Sequence, residues 1–297
     1  ITKELLRYWQ RPDRERRLFF CQVEAAETAI YLTEIRLAGK YTRFKSAIKD
    51  DDLKKVLDQP ADTGLAPLIR LGLKMATGSG KTVVMSMLVA WTFCNRGRTP
   101  SDERFPQAVL AVCPNLTIKE RLQVLRPEDK DNYYAAFDLV PTRLRELLNK
   151  GKVLVTNWHL FAPESEHSEG GKSYIVVNKG AESPQAFARR VLGDLYDRSR
   201  GGILVLNDEA HHAWRPNTVQ DEAARVAKDE LEEATVWVSG LDMLQQAVGV
   251  RFCVDLSATP FYIQGSGHVE GAPFPWLVSD FGLVDAIESG IGKIPRL

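Results

Sequence analysis

Residues 75–82, with the sequence MATGSGKT, constrain the fold of this chain more than any other stretch. A β-prone apolar segment (68–73) leads into them and a long apolar segment (83–93) follows, which predicts a strand, a glycine-rich turn and a helix. In that setting the backbone N–H groups of the turn point inward at a helix N-terminus and form a phosphate site. Lys81 is then expected to reach the β- and γ-phosphates of a nucleotide, and the Thr82 hydroxyl to bind Mg²⁺. The remaining predicted nucleotide-binding residues of the turn are Thr77, Gly78, Ser79 and Gly80. A glycine-rich turn without a ligand is the alternative interpretation.

A second apolar segment, residues 202–207, ends in Asp208-Glu209-Ala210-His211. Its length fits a buried parallel strand, and carboxylates at the carboxyl end of such a strand lie at the crevice where α/β sheets bind ligands. We expect Asp208 to hold Mg²⁺ through the water shell of the ion, and Glu209 to polarise the attacking water. A surface Asp-Glu pair that caps the next helix is the alternative.

A third apolar segment, 252–256, ends in Ser257-Ala258-Thr259, whose hydroxyls are suited to coupling a nucleotide site to neighbouring loops.

The order ATGSGKT, DEAH, SAT resembles motifs I, II and III of superfamily 2 helicases and translocases. Gln22 lies upstream of the phosphate loop, where that superfamily carries an adenine-reading glutamine. Residues 112–117 are similar to motif Ia, and residues 153–159 to the strand and loop that touch the nucleic-acid backbone. The segments 206–212, 255–261 and 285–290 are similar to the motor subunit of type III restriction enzymes and related DEAD/DEAH-box proteins. The resemblance spans the chain from about Leu5 to Arg296.

The resemblance implies a RecA-like P-loop NTPase domain of the α/β class, with a mainly parallel sheet covered by helices on both faces. It implies ATP and Mg²⁺ as ligands, with Lys81, Asp208 and Glu209 in catalysis and His211 at the nucleotide. Ser257 and Thr259 are expected to couple the site to its surroundings. Sequence-independent contacts to DNA, expected to be duplex, are implied for Asn115, Thr117, Thr156 and Asn157. For Asn115 and Thr117, capping of the helix that follows is the alternative.

The expected domain organisation is a helical amino-terminal segment (1–59) that carries Gln22, followed by the first RecA-like domain (60–297). Motors of this kind have a second RecA-like domain whose arginines reach the γ-phosphate. Because the chain starts at Ile1 and stops at 293–297, where the family's link to that domain begins, we expect an excised first motor domain. A modification or specificity subunit is a further expected partner. No convincing PD-(D/E)xK nuclease pattern is present, so cleavage is not assigned to this piece, although the intact protein resembles part of a restriction endonuclease.

Lysine and arginine balance aspartate and glutamate, 39 against 39, which argues against a strong stand-alone nucleic-acid binder. No apolar run is long enough to span a bilayer, and four widely separated cysteines fit a reducing cytoplasm.

From the motifs and the resemblance, the leading hypothesis is a DNA-dependent ATPase, a helicase or duplex translocase. A nucleotide-binding switch or scaffold without productive hydrolysis is the alternative, and a metabolic P-loop kinase a weaker third.

Strands and helices are expected to alternate from residue 67 onward, which argues for a parallel sheet covered on both faces. Within this pattern, residues 136–140 are predicted to be a strand and 219–233 a charged amphipathic helix. Phe19 and Phe20 are expected to pack against the sheet or against adenine, and packing into the core is the expectation for at least one of them. A basic cluster of the amino-terminal segment is expected to be a solvated helix face; its members are Arg11, Arg14, Arg16 and Arg17.

Overall fold

The computed structural model of the protein describes residues 1–37, 50–60, 64–162, 182–217, 228–264 and 266–292. The strands are β1 (Leu57–Asp58), β2 (Leu68–Met75), β3 (Ala108–Cys113), β4 (Lys152–Asn157), β5 (Ile203–Asp208), β6 (Val250–Ser257) and β7 (Leu277–Phe281). The α-helices are α1 (Thr2–Trp9), α2 (Phe20–Tyr31), α3 (Asp50–Lys54), α4 (Lys81–Arg98), α5 (Leu116–Arg121), α6 (Tyr133–Ala136), α7 (Arg145–Leu148), α8 (Pro184–Leu192), α9 (Lys228–Ala247) and α10 (Leu283–Glu288).

The strands form one seven-stranded sheet in the order β1-β2-β6-β5-β3-β4, with β7 pairing with β2 as well. All pairs are parallel except β1 with β2, which confirms the expected mainly parallel sheet. One edge of β2 is shared, because β1 pairs with its first two residues and β7 with its last four. The carboxyl ends of β2, β6, β5, β3 and β4 therefore meet at one edge of the sheet, which is where α/β proteins bind ligands.

Helices cover both faces of this sheet, as the α/β pattern predicts. One apolar core joins α1, α2 and α4 to the residues of β2 that face them, Leu71, Leu73 and Met75. The other core joins α8 and α9 to alternate residues of β3 and β5, and to Val250 and Cys253 of β6. Because side chains alternate along a strand, Leu68 of β2 enters the second core while Leu71, Leu73 and Met75 enter the first. Among the helices of the described ranges, none combines the length and apolar character that a membrane span requires.

The amino-terminal helices share the core of the sheet. Leu5 and Trp9 are buried there, and the Trp9 indole N–H donates to the Leu139 carbonyl at 2.8 Å. Arg14 is only 7% exposed and donates to the carbonyl oxygens of Phe137 and Asp138, so the expectation of a solvated basic face is wrong at this position. The domain boundary at residue 59 stays a prediction.

Residues 136–140 do not form a strand, and the prediction made from their apolar character is wrong. Asn132 caps the short helix α6 by accepting a hydrogen bond from the Ala135 N–H at 2.9 Å. Asp138 then takes a left-handed backbone conformation with φ 46°, which breaks an extended segment. Leu139 and Val140 are buried in the helical layer instead. Of the predicted helix 219–233, residues 219–227 lie outside the described residues, and α9 begins at Lys228 and runs on to Ala247.

Candidate nucleotide-binding site

The turn between β2 and α4 has the geometry of a phosphate loop. Gly78 and Gly80 have φ angles of 85° and 92°, a left-handed region that side chains disfavour. Gly80 directly precedes α4, an 18-residue helix, so the free N–H groups and the positive end of the helix dipole face this turn. A Cβ atom on Gly78 would meet nothing within 4 Å, and Thr77 and Gly78 are exposed. The turn therefore offers open space beside backbone donors, as an anion requires.

Gln22 braces this loop from α2. It is 4% exposed, its amide N–H donates to the Ser79 carbonyl at 2.9 Å, and its amide oxygen accepts from the Phe19 N–H at 3.0 Å. A Cβ atom on Gly80 would lie 2.1 Å from the Gln22 amide nitrogen, so glycine is required there for a second reason. The structure thus brings Gln22 to the phosphate loop, while its predicted contact with adenine stays a prediction.

Phe19 and Phe20, at the start of α2, are 41% and 80% exposed. The prediction that at least one packs into the core is therefore wrong. Both residues lie within three positions of Gln22 in the chain, so apolar side chains are exposed in the segment that carries this glutamine.

Lys81 and Glu209 meet at the centre of the site. The Lys81 ammonium lies 2.5 Å from a Glu209 carboxylate oxygen, with side chains 14% and 27% exposed. Glu209 has φ 51°, a conformation that costs energy in a residue with a side chain and is concentrated at functional sites. This strained turn at the end of β5 aims the carboxylate at the phosphate loop, so the structure brings together the lysine and the carboxylate that the sequence predicted separately.

Asp208 is the last residue of β5 and is 8% exposed. Burial raises its pKa to about 6; the Glu209 carboxylate adds to this shift and Lys81 opposes it. A buried carboxylate of this kind gains from a nearby cation, because a positive charge favours its ionised form. The oxygen atoms of Asp208 and Thr82 are the hard ligands that Mg²⁺ prefers, so the residues present fit that ion.

His211 joins the DEAH turn to the end of β6. Its Nδ1 lies 2.9 Å from the Ser257 hydroxyl oxygen, which also accepts from the Thr259 N–H at 3.0 Å. The hydroxyl hydrogen is thus free to be donated to Nδ1. Burial lowers the pKa of His211 to about 4, helped by the neighbouring His212, so the ring is neutral at physiological pH. The pair links the predicted nucleotide site to the predicted coupling residues.

Comparison with known protein families shows which family the chain belongs to. Residues 52–262, well over half of the chain, match the family described as the type III restriction enzyme res subunit. This chain belongs to that family. Res-subunit domains of this kind are RecA-like P-loop domains of helicase-like, ATP-dependent motors, which confirms the fold and the resemblance inferred from the motifs. The matched range contains the phosphate loop, the DEAH turn and the SAT segment. No curated protein matches the chain.

The residues expected on the nucleic-acid side of this res-subunit domain lie at the ends of β3 and β4, which are paired so that Cys113 is opposite Asn157. Asn115 caps α5, since its side-chain oxygen accepts from the Ile118 N–H at 3.0 Å. The alternative interpretation of Asn115, capping of the helix that follows, is therefore the role that its side chain has in the structure. Thr117 is exposed and Asn157 half-buried, so both can be reached from this edge.

Thr156 differs from the other predicted nucleic-acid residues. It is 3% exposed, and its hydroxyl lies 3.4 Å from the Asn157 carbonyl oxygen. In this conformation its side chain does not present a donor at the surface, and its contact with a backbone phosphate stays a prediction.

Sequence analysis of this res-subunit domain missed a buried polar network below the site, formed by Arg70, Asp255 and Asn207. Each interrupts an otherwise apolar strand segment, LIRLGL, FCVDL and LVLND. A charged side chain in a strand predicted to be buried needs a partner, which was the available signal. The partners lie on neighbouring strands far apart in the chain, so the sequence did not identify them.

Proposed function

We propose that this chain is the ATP-binding first motor domain of a DNA-dependent ATPase, a helicase or duplex translocase that hydrolyses ATP with Mg²⁺. The observation that carries the proposal is the contact between Lys81 and Glu209. Their meeting supports one reaction centre that holds both a phosphate-binding cation and a carboxylate able to orient water.

Each residue has a distinct role in this proposal. The amides of the phosphate loop and Lys81 bind the β- and γ-phosphates, and Thr82 and Asp208 hold the metal ion. Mg²⁺ neutralises charge on the phosphates when bound. Glu209 orients the attacking water and accepts its proton. Because Glu209 pairs with Lys81 in the structure, phosphate binding to Lys81 releases Glu209 for that task.

Full catalysis further requires charge stabilisation at the γ-phosphate. We propose that arginines of a second RecA-like domain supply it, as the res-subunit resemblance implies. In related phosphoryl transfers, an arginine supplied by a partner increases the rate about 10³- to 10⁵-fold. We propose that the exposed rings of Phe19 and Phe20, which lie close to Gln22 in the chain, contact the adenine of the nucleotide.

The proposed DNA contacts lie at the ends of β3 and β4, on the same edge of the sheet as the phosphate loop. Neutral donors such as Thr117 and Asn157 suit phosphate oxygens and position a strand without reading its sequence. With a net formal charge of +0, the domain by itself is expected to bind DNA weakly and with a strong salt dependence.

Phosphate release by the full-length natural protein, measured with Mg²⁺ and with or without duplex DNA, tests the proposal. Hydrolysis stimulated by DNA supports it. Lys81→Ala is expected to weaken binding of a fluorescent ATP analogue, because it removes a charge-assisted contact to phosphate. Lys150→Ala is the matched control, since Lys150 is an exposed lysine that contacts the Gly97 carbonyl away from the site. ATP binding without any turnover would favour the nucleotide-binding switch instead.

A further inference from the structure

Arg70, in the middle of β2, is completely buried and has a partner for each nitrogen of its guanidinium. Nε donates to Asp255 at 2.7 Å, Nη1 to Asp58 at 3.1 Å and Nη2 to the Ala213 carbonyl at 2.6 Å. The flat face of the group lies 4.2 Å from the Trp276 ring centroid. One side chain thus contacts β1, β6, the segment after the DEAH turn and the residue that directly precedes β7.

The contacts continue to the next strand of the sheet. Asp255 accepts a second hydrogen bond, from the Asn207 amide at 2.7 Å, and the Asn207 oxygen accepts from the Trp237 indole at 3.1 Å. Asp255 and Asn207 are register partners on β6 and β5. We name Arg70, Asp255 and Asn207 the sub-site network, because it crosses β2, β6 and β5 directly below the carboxyl edge of the sheet.

Several members and contacts of the sub-site network lie on segments that carry a residue of the predicted nucleotide site or a predicted coupling residue. Asn207 directly precedes Asp208, and Asp255 lies two residues before Ser257. Ala213 follows the short 3₁₀ turn that contains His211. The strand of Arg70 itself runs into the phosphate loop. The guanidinium therefore contacts these segments or their direct hydrogen-bond partners.

The energetics favour a geometric role over a purely stabilising one. Burying a charge is costly, and a buried ion pair is often no more stabilising than apolar side chains of similar volume. The guanidinium group, however, donates hydrogen bonds only in fixed directions within one plane. Burial by itself would lower the pKa of Arg70, but the Asp255 and Asp58 carboxylates raise it well above its ordinary value, so the charge is permanent. The sub-site network thus specifies one relative arrangement of three strands.

We propose that Arg70 is a positioning residue for ATP hydrolysis, setting the phosphate loop relative to Asp208 and the DEAH turn through Asp255 and the Ala213 carbonyl. The inference rests on the proposed ATPase function. ATP binding depends mainly on the loop amides and Lys81, which β2 and α4 carry together. Hydrolysis also needs Asp208 and Glu209, which come from β5. A shift of β2 against β5 should therefore lower kcat more than it raises KM.

Arg70→Lys in the full-length protein tests this inference, because lysine keeps the charge but cannot bond three partners in one plane. A misplacement of about 1 Å can cost about 10²-fold in rate, so we expect kcat to fall by that order and KM for ATP to change by less than about threefold. Asp255→Asn, which keeps the shape but loses the charge, should act in the same direction. It provides the test if Arg70→Lys does not fold.

The matched controls are Leu68→Val and Leu68→Ala, on the same strand and the same face and equally buried. They remove apolar contacts without changing a side chain of the sub-site network, and one is expected to lower the melting temperature less, the other more, than Arg70→Lys does. Compared with Arg70→Lys at similar loss of melting temperature, the Leu68 variants should retain kcat within about threefold of wild type.

Two results would overturn the inference: Arg70→Lys and Asp255→Asn both with nearly wild-type kcat, or the Leu68 variants losing as much kcat at equal stability. Either leaves the proposed function intact, since wild-type protein still hydrolyses ATP. A wild-type protein that binds ATP and never hydrolyses it overturns the proposed function itself, and with it the role of Arg70.

Discussion

Lys81 and Glu209 form an ion pair across the site, although 128 residues separate them in the chain. The pair means that the lysine proposed to bind phosphate is neutralised before a nucleotide arrives. In the proposed function, ATP must therefore take Lys81 from Glu209, and the negative charge of ATP is repelled by the same carboxylate. The contact sets the resting state of the proposed motor domain and leads to the first prediction.

Glu209→Gln is expected to bind ATP more tightly than wild type and to lose hydrolysis. The amide removes both the competitor for Lys81 and the repulsion, and because the pair is partly exposed the gain should be about three- to fivefold. Hydrolysis is lost because an amide cannot accept the proton of water. A fluorescent ATP analogue and phosphate release measure the two effects, and retained turnover would contradict the role given to Glu209.

Gly80→Ala is expected to weaken ATP binding far more than Gly78→Ala. Both positions have positive φ, so each substitution adds about 1–2 kcal/mol of backbone strain to the loop conformation proposed to bind phosphate. Only at Gly80 does the new Cβ atom meet the buried Gln22 amide, at 2.1 Å, so that substitution must also break the bond from Gln22 to Ser79. Calorimetric titration with ATP compares the two, and equal losses would show that the Gln22 contact does not matter.

Asp208→Asn is expected to stabilise the protein in the absence of Mg²⁺, and only above acidic pH. The pKa of Asp208 is raised from 3.8 to about 6, so the folded protein binds this proton more tightly than the unfolded chain does. Stability from this group is therefore complete below pH 3.8, falls as the pH rises to about 6 and is then level. Above that pH the variant should gain up to about 3 kcal/mol in the free energy of unfolding. Urea denaturation at about pH 4 and about pH 8 measures the difference, which should be near zero at the lower pH.

Ser257→Ala is expected to uncouple hydrolysis from DNA. The substitution removes the hydroxyl that contacts His211 Nδ1 and accepts from the Thr259 N–H, yet leaves the groups proposed to bind phosphate and metal. Basal ATPase of the full-length protein should survive, while stimulation by duplex DNA falls several-fold. Ser199→Ala is the control, because it also deletes a buried hydroxyl, one bonded to the Tyr196 carbonyl far from the site. Unchanged stimulation in Ser257→Ala would argue against coupling through this pair.

Replacing Thr117 and Asn157 together with Ala is expected to reduce DNA stimulation and the salt dependence of DNA binding, with basal ATPase retained. Both residues are accessible at the ends of the paired strands β3 and β4. Thr156→Val should have a smaller effect, since the Thr156 hydroxyl is buried. The assay is ATPase against DNA concentration at two salt concentrations. A larger loss from Thr156→Val than from the double variant would mean that this edge rearranges when DNA binds.

The sequence by itself determined the local parts of this protein. Glycines that need positive φ, a lysine at the start of a helix and apolar runs that end in carboxylates are each written in consecutive residues. Those patterns predicted the phosphate loop, the strand before the DEAH turn and the mainly parallel sheet. Such features are predictable because their physical causes, backbone conformation and side-chain periodicity, act within a few residues.

Tertiary structure alone decided which of these parts meet and which side chains are accessible. Strand order places β6 between β2 and β5, and only that order joins Arg70, Asp255 and Asn207 into one network. Local apolar character could not reveal that 136–140 is a turn under helices, since packing overrides weak strand propensity. The burial of Thr156, the exposure of Phe20 and the pairing of Lys81 with Glu209 likewise follow from contacts between distant segments, which no local pattern encodes.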